Sequence, residues 1–371
     1  MPNAKKVIEK LLALADLQVG GPHPWEPQVH NDAFYARVLK AGTRGLGEAY
    51  MDGWWDCEQL DEFVCRVLCA NLDGQLKGNP RLLLQFLLAV AFNRQGKSRA
   101  FQVGEKHYDT GNDLFECMLD PRLAYTCGYW KDAASLDEAQ EAKLDLVCRK
   151  IDLKRGQSVL DIGCGWGSFA KFAAEKYGVS VVGLTVSKQQ ASLARTLCQG
   201  LPVDIRLQSY TDLEGTFDRV VSLGMFEHVG YKNYATYFDV VRRALKAEGL
   251  FLLHTIGSNT SGHTIDPWID RYIFPNAVLP SIKQIGSAIE GLFVMEDWHN
   301  FSVDYDRTLR AWHANFTQGW DAISHNYSKR FYRMWTYFLL SCAGTFRARR
   351  NQVWQVVLSK DGVRGGYNAL R

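Results

Sequence analysis

The sequence has no apolar run long enough to cross a bilayer. A spanning helix needs about 20 predominantly apolar residues, and the longest candidate, Leu82–Phe92, is shorter and interrupted by Gln85. The first residues, MPNAKKVIEKLLALADL, lack the uninterrupted apolar stretch and small-residue cleavage site of a secretory signal. Val7, Ile8, Leu11, Leu12 and Leu14 instead follow helical spacing beside Lys5, Lys6 and Lys10. No C-x-x-C pair occurs among the nine cysteines, and their number is odd. That excludes a disulfide framework and a zinc-type cluster, and fits reduced thiols in a cytoplasmic protein without a bound metal. Nor is there an excess of one charge. The 43 Lys and Arg against 40 Asp and Glu give a net charge of +3, too little and too dispersed for a nucleic-acid partner. Internal repeats and low-complexity tracts are also missing. Aromatics are what the sequence has in plenty, at 12% of 371 residues with 11 Trp. They suit apolar grooves or a membrane-facing surface, although large cores consume them too.

A chain of this length exceeds the usual size of one domain. Residues 1–92 read as a helical N-terminal, lipid-interacting domain in which Asp32–Leu39 is periodic, Gly42–Gly47 breaks the pattern and Leu60–Leu68 resumes it. Residues 93–105, polar and basic at Arg94, Lys97 and Arg99, read as a linker. Beyond it, short runs rich in Val, Ile and Leu at Ser158–Ile162, Ser180–Thr185, Val203–Gln208, Arg219–Leu223 and Leu250–Thr255 alternate with helical patterns at Ser168–Tyr177, Lys188–Cys198 and Tyr234–Leu245. Strand and helix in alternation predict an α/β catalytic domain over 106–371, built on a doubly wound, mostly parallel, Rossmann-like sheet. Such sheets bind ligands beyond the carboxyl ends of their strands.

The sharpest motif is Val159-Leu-Asp161-Ile-Gly163-Cys164-Gly165-Trp-Gly167, between a predicted strand and a predicted helix. The glycines allow a tight turn and a close backbone approach, and Asp161 brings a carboxylate that can hold an ammonium group. The dinucleotide fingerprint requires a glycine where Ser168 stands. The D-x-G-x-G-x-G spacing is instead similar to the first motif of S-adenosylmethionine-dependent methyltransferases. The second strand ends without the acidic residue that many of these enzymes aim at the ribose, leaving Thr185 and Gln190 to supply polar contacts.

Several further blocks narrow the resemblance. Gly183–Gln190, His107–Phe115, Ala124–Trp130, Gly224–Gly230, His254–Gly257 and Asp297–Phe301 together resemble the cyclopropane-fatty-acid-phospholipid synthase family, and Gly45–Trp55 looks like the lead domain of its bacterial phospholipid-acting members. The resemblance covers nearly the whole chain. It implies methylene transfer from S-adenosylmethionine to the cis double bond of a phospholipid acyl chain, through a carbocation deprotonated by bound bicarbonate. It also implies peripheral association with the inner face of the membrane and, for many relatives, a homodimer. Carried over by motif, the bicarbonate site comprises Glu227, His254 and Tyr305 through side chains, with Cys127 and Ile256 acting mainly through their backbones. Cofactor contacts fall on Tyr125, Thr126, Asp161, Gly163, Cys164, Gly165, Thr185, Val186, Ser187, Lys188, Gln189, Gln190, Ser209, Tyr210 and Leu223. Ser209 stands where relatives can have Asp, and Thr126 where Ser is common.

Such chemistry demands a dry, aromatic-lined pocket, because an alkene attacking a sulfonium methyl leaves a cation that water would quench. Tyr129, Phe226 and Tyr305 are wall candidates. Each assignment competes with a plainer one: Glu227 could cap a helix, and a lone His254 could be a satisfied structural residue. Cys342, which the family labels as an active-site cysteine, lies in the apolar helical stretch Tyr337–Ala343, where a free cysteine commonly just packs. Two other functions stay open, a methyltransferase for another lipid or a soluble acceptor, and a non-catalytic scaffold. Intact Asp161, Glu227, His254 and Tyr305 argue against the scaffold.

Overall fold

A computed structural model describes residues 4–72 and 111–371, so the Leu82–Phe92 run and the expected linker lie outside the described residues. The chain forms two compact units. The lead unit contains α1 (Ala4–Ala13), which buries Val7, Ile8, Leu11 and Leu12, the stripe expected from their spacing. A two-stranded antiparallel ribbon follows, β1 (Gln28–Val29) with β2 (Trp55–Asp56). Between these strands, α2 (Ala33–Met51) is interrupted at the start of the glycine-rich stretch expected to break it: Gly42 is non-helical, with φ +57° and ψ −134°, and two helical segments meet there across a kink. Gly45 and Gly47 remain helical because they permit close packing rather than a turn. A Cβ on Gly47 would lie 2.5 Å from the Trp268 indole, and one on Gly45 would lie 2.4 Å from the Arg37 carbonyl oxygen. Then comes α3 (Leu60–Cys69). Trp55, fully buried, packs against Phe34, Tyr50 and Phe63. This unit also takes in 266–275 and 312–350, so later parts of the chain help build it.

The second unit holds the sheet. Its strands are β3 (Ser158–Ile162), β4 (Ser180–Thr185), β5 (Val203–Leu207), β6 (Phe217–Leu223), β7 (Leu245–Ser258), β8 (Val294–Asn300) and β9 (Asn351–Ser359), in the order β5-β4-β3-β6-β7-β9-β8. The first five pair in parallel, and β9 inserts antiparallel between β7 and β8. Each of the five strands expected from the sequence is present, and β8 and β9 extend the sheet beyond them. The helices are α4 (Asn112–Met118), α5 (Leu136–Lys150), α6 (Ser168–Tyr177), α7 (Lys188–Leu197), α8 (Tyr234–Ala244), α9 (Pro267–Tyr272), α10 (Ile282–Ile289), α11 (Val303–Ile323) and α12 (Lys329–Arg347). Of these, α9 and α12 belong to the lead unit, as does α11 from Trp312 onward.

Alternation along the strands sorts the core into two layers. Leu160, Ile162, Val220, Phe251, Leu253, Val356 and Leu358 pack on one face with Phe238 and Val241 of α8 and Ile285 of α10. Val159, Val181, Val221, Leu252 and Val357 pack on the other with Leu144 and Val147 of α5 and Phe169 and Phe172 of α6. Two serines start helices with capping boxes: Ser135 with Glu138, and Ser281 with Gln284.

Two glycines show how tightly the second unit is built. A Cβ on Gly257 of β7 would lie 2.0 Å from the Trp354 ring, whereas one on Gly286 of α10 would meet nothing within 4 Å. Gly257→Ala is expected to destabilise by roughly 1–3 kcal/mol through overpacking, and Gly286→Ala to stabilise by about 0.5–1 kcal/mol. Thermal unfolding checks both, and the two variants should move the transition in opposite directions.

Candidate functional site

The site forms where β3, β4, β6 and β7 end. After Asp161 the chain turns sharply. The amides of Gly163 and Cys164 both donate to the Leu184 carbonyl at 3.0 and 2.8 Å, which ties the loop to the end of β4. Gly163 has φ +85°, and a Cβ there would lie 2.6 Å from Met225, so both conformation and space require glycine. Gly165, with φ +55°, has nothing within 4 Å of its Cβ position and leaves room beside the backbone. Asp161 is 1% exposed, and its Oδ2 has no hydrogen-bond partner. Burial lifts its carboxyl to about 7, against the lowering effect of the Lys143 ammonium.

Beyond β4, Thr185 donates to Gln190 Oε1 at 2.9 Å and accepts from the Ser187 amide at 3.2 Å. Ser187 caps α7 by accepting from the Gln190 amide. These bonds organise the polar pair expected to replace the missing acidic residue. Lys188 and Gln189 are exposed, and Val186 is the most exposed large apolar residue among those described. Ser209 turns onto Thr211, with its hydroxyl 2.8 Å from the Thr211 hydroxyl, and Tyr210 packs edge-on against Tyr237.

The Ala124–Cys127 segment is held from α5. Gln140 donates to the carbonyls of Ala124 and Thr126 at 3.2 and 2.8 Å, and Lys143 donates to Thr126 Oγ1 at 2.7 Å. Tyr125 packs edge-on against Phe115 of α4. The Cys127 thiol donates to the Gly128 carbonyl at 3.2 Å, and burial raises its pKa well above the ordinary thiol value. Thr308 of α11 accepts from the Gly128 amide and the Trp130 indole at 3.1 and 2.9 Å, bracing the same loop.

Leu223 ends β6, and Glu227 follows in a short turn. Glu227 is 6% exposed; its Oε1 accepts from the Ile256 amide at 2.6 Å, while Oε2 has no partner. Burial pushes the carboxyl up to about 7 against the lowering effect of that hydrogen bond. Of the Ile256 backbone, expected at the bicarbonate site, the amide is thus already committed to Glu227. His254 of β7 is 1% exposed and its Nδ1 has no partner. Burial, and then Lys143 and Lys150, hold it neutral, well below the ordinary histidine range. Beside His254 in the sheet register lies Gln355 of β9, completely buried with both amide atoms unpartnered. Tyr305 is buried on α11. Tyr129 and His254 both pack edge-on against Phe301. Phe226 differs from its expected role as a pocket wall. Fully buried, it stacks on Tyr234 at 4.3 Å inside the core layer under α8.

Cys342 belongs to the lead unit, on α12. Burial pushes its thiol up to about 12, un-ionised at neutral pH and a poor nucleophile. The fold adds to the site Lys143, Gln140, Thr308 and Gln355, which motif reasoning passed over. Nothing in the sequence around Lys143 marks it as buried, since a lysine in a helix ordinarily reads as solvated surface. Among the described residues no group of three or more His, Cys, Asp or Glu could hold a metal ion.

Known proteins resemble this chain in sequence and in fold. The family model described as mycolic acid cyclopropane synthetase matches residues 95–356. The chain is 54% identical over 369 residues to cyclopropane-fatty-acyl-phospholipid synthase of Escherichia coli (strain K12), covering 100% of this chain and 96% of that one. Among solved structures, the cyclopropane synthase MmaA2 from Mycobacterium tuberculosis superposes with a TM-score of 0.65 at 32% identity, over 68% of this chain and 96% of its own. Mycolic acid cyclopropane synthase CmaA1, complexed with SAH and CTAB, gives a TM-score of 0.63 at 34% identity, over 68% and 96%.

The buried Glu227 carboxyl makes a stability prediction. Folding raises its pKa from 4.5 to about 7, so the folded state holds the proton more tightly and stability is lost as pH rises through that window. Glu227→Gln keeps an acceptor for Ile256 without the charge. It should unfold at higher temperature than the parent above pH 7, by roughly 3 kcal/mol at most, with the gap closing toward pH 5. A gap that does not change with pH would contradict the assignment.

Proposed function

The chain belongs to the mycolic acid cyclopropane synthetase family, and from that premise we propose that it is an S-adenosylmethionine-dependent cyclopropane-fatty-acyl-phospholipid synthase. In this reading it adds a methylene across the cis double bond of an unsaturated acyl chain in a phospholipid. The observation that carries the reading is the pair of buried atoms left without partners at and beside the end of β6, Glu227 Oε2 and His254 Nδ1. Unpaired buried polar groups are costly, and a pair of them beside a glycine-rich cofactor loop fits a site that a small polar ligand completes.

The residues fit S-adenosylmethionine. Asp161 offers an unpartnered carboxylate oxygen for an ammonium group, the backbone at Gly165 is open, and Thr185 with Gln190 presents hydroxyl and amide groups suited to a ribose. When bound, the cofactor supplies an electrophilic methyl group. The protein's part is to hold the alkene in line with it and to keep water out. Tyr129 and Tyr305, both buried, suit an aromatic wall that tolerates positive charge.

Ring closure also needs a base. Bicarbonate fits the donor set: neutral His254 can donate one N–H, Glu227 can accept from a protonated oxygen, and the Tyr305 phenol can donate. When bound, bicarbonate supplies the acceptor for the proton lost from the transferred carbon. Glu227 then orients rather than abstracts, since it is already tied to the Ile256 amide. The Cys127 backbone completes this ligand set. Cys342, un-ionised and on the other unit, has a packing role.

The enzyme works at the inner face of the membrane as a peripheral protein, and a homodimer is its proposed assembly. Among the described residues no helix is long and apolar enough to cross a membrane; the apolar stripe of α1 is buried, so what this helix offers anionic head groups is the charge of the exposed Lys5, Lys6 and Lys10.

Incubation with S-adenosylmethionine and vesicles of unsaturated phospholipid should add one methylene to the acyl chains, and product analysis should identify a ring. A methyl branch would instead mark the other methyltransferase reading. Turnover should drop at least tenfold in bicarbonate-free buffer and again in Glu227→Gln, consistent with the general-base contribution expected of such a group. Undiminished turnover in both would overturn the bicarbonate assignment.

A further inference from the structure

Three polar side chains of α5 are buried: Gln140, Lys143 and Lys150. Lys150 is accounted for by Asp297 at 3.2 Å and His299 at 3.1 Å. Lys143 is different. Among the described residues it forms no ion pair, and its hydrogen bond goes to Thr126 Oγ1 at 2.7 Å. An ammonium group only donates, so Thr126 is the acceptor in that bond and its own proton must be given elsewhere. The threonine is wedged on its other side: a Cβ on Gly224 would lie 2.6 Å from Thr126 Cγ2. Its backbone carbonyl is held by Gln140. The hydroxyl therefore has a fixed position and a fixed polarity.

We propose that Lys143 is a positioning residue for the cofactor: it sets Thr126 as a hydrogen-bond donor and places its positive charge in the field of Asp161, the carboxylate that receives the cofactor's ammonium group. This rests on the reading of the glycine-rich loop as an S-adenosylmethionine site. The neighbouring groups leave the task to this pair. Asp120, the other carboxylate beside Lys143, is occupied by the amides of Arg122 and Ala124 at 3.0 and 2.9 Å. Burial holds Cys127 protonated and His254 neutral near Lys143. It likewise raises the thiols of Cys164 and Cys198 and the phenol of Tyr237, which share the field of Asp161. The charged groups at this point are Lys143, Asp120 and Asp161. Burial raises Asp161 to about 7 and lowers Lys143 to about 8, and with all three ionised the net charge of −1 complements a cofactor carrying one net positive charge. The transferred methyl takes that positive charge with it, so the demethylated product loses the attraction.

The sign of the effect follows. The Lys143 ammonium lowers the Asp161 pKa, so removing it raises that pKa and moves the ionisation of Asp161 to higher pH. Calorimetric binding of S-adenosylmethionine to the full chain without lipid, between pH 6 and 8.5, tests this. In K143M affinity should fall roughly ten- to a hundredfold at pH 7, the range expected for hydrogen bonds to charged groups, and recover as pH rises. In T126V, which keeps the charge and removes the hydroxyl, affinity should fall about tenfold with the parent's pH dependence. Wild-type affinity in K143M, or a loss equal at every pH, would overturn the proposal. If thermal unfolding shows K143M misfolded, T126V decides, and undiminished affinity there would overturn it. A parent protein that binds neither S-adenosylmethionine nor S-adenosylhomocysteine would instead overturn the cofactor reading beneath it.

Discussion

The hydrogen bond from the Ile256 amide to Glu227 Oε1 is the contact on which the site depends. It joins the turn after β6 to β7, while the Glu227 carbonyl accepts from the Val278 amide at 2.9 Å and secures a third segment. A carboxyl group so enclosed has lost most of its water, and one oxygen is satisfied while the other is not. The molecule tolerates that cost because the large apolar layers on both faces of the sheet carry the stability, leaving the strand ends to hold groups that would be unfavourable elsewhere. His254, Asp161 and Gln355, each buried with an unpartnered atom, repeat the pattern. The edge of the sheet thus gathers buried polar atoms that its own hydrogen bonds leave unsatisfied.

This arrangement divides the aromatic excess into two kinds of work. Trp55, Phe34, Tyr50 and Phe63 pack the lead unit, and Phe226, Tyr234, Tyr237 and Phe238 pack the layer under α8. These rings are structural. A smaller group, Tyr129, Phe301 and the neighbouring His254, lies at the site and suits a dry, cation-tolerant wall. Composition counts rings without separating these roles, because either role buries the side chain.

Strands with strong local patterns were legible in the sequence: β3, β4 and β6 are dense in Val, Ile and Leu, and the glycine loop between β3 and α6 has a backbone geometry that few residues can adopt. The partly polar β8, Val-Met-Glu-Asp-Trp-His-Asn, has no such signal, since it owes its place to pairing with β9 far along the chain. The same limit applies to the site. Asp161 and Glu227 end or follow strands, and His254, although β7 continues to Ser258, lies level with Leu223 at the end of β6, so topology brings all three to one edge. Lys143 and Thr308 sit in helices and meet the Thr126–Gly128 loop only after folding, 17 and 180 residues away in sequence from their partners. Gly42–Gly47 read as a break because glycine lowers helix propensity, but contact with Trp268 reverses the meaning of Gly47.

The central claim is that the unpartnered atoms of Glu227 and His254 are completed by a small anion. Titration of the full chain with ¹³C-bicarbonate in carbonate-free buffer, followed by the carbon resonance, tests it most directly. The account predicts saturable binding at one site per chain that is lost in His254→Leu. Absence of saturable binding in the parent, or binding unchanged in His254→Leu, would contradict it.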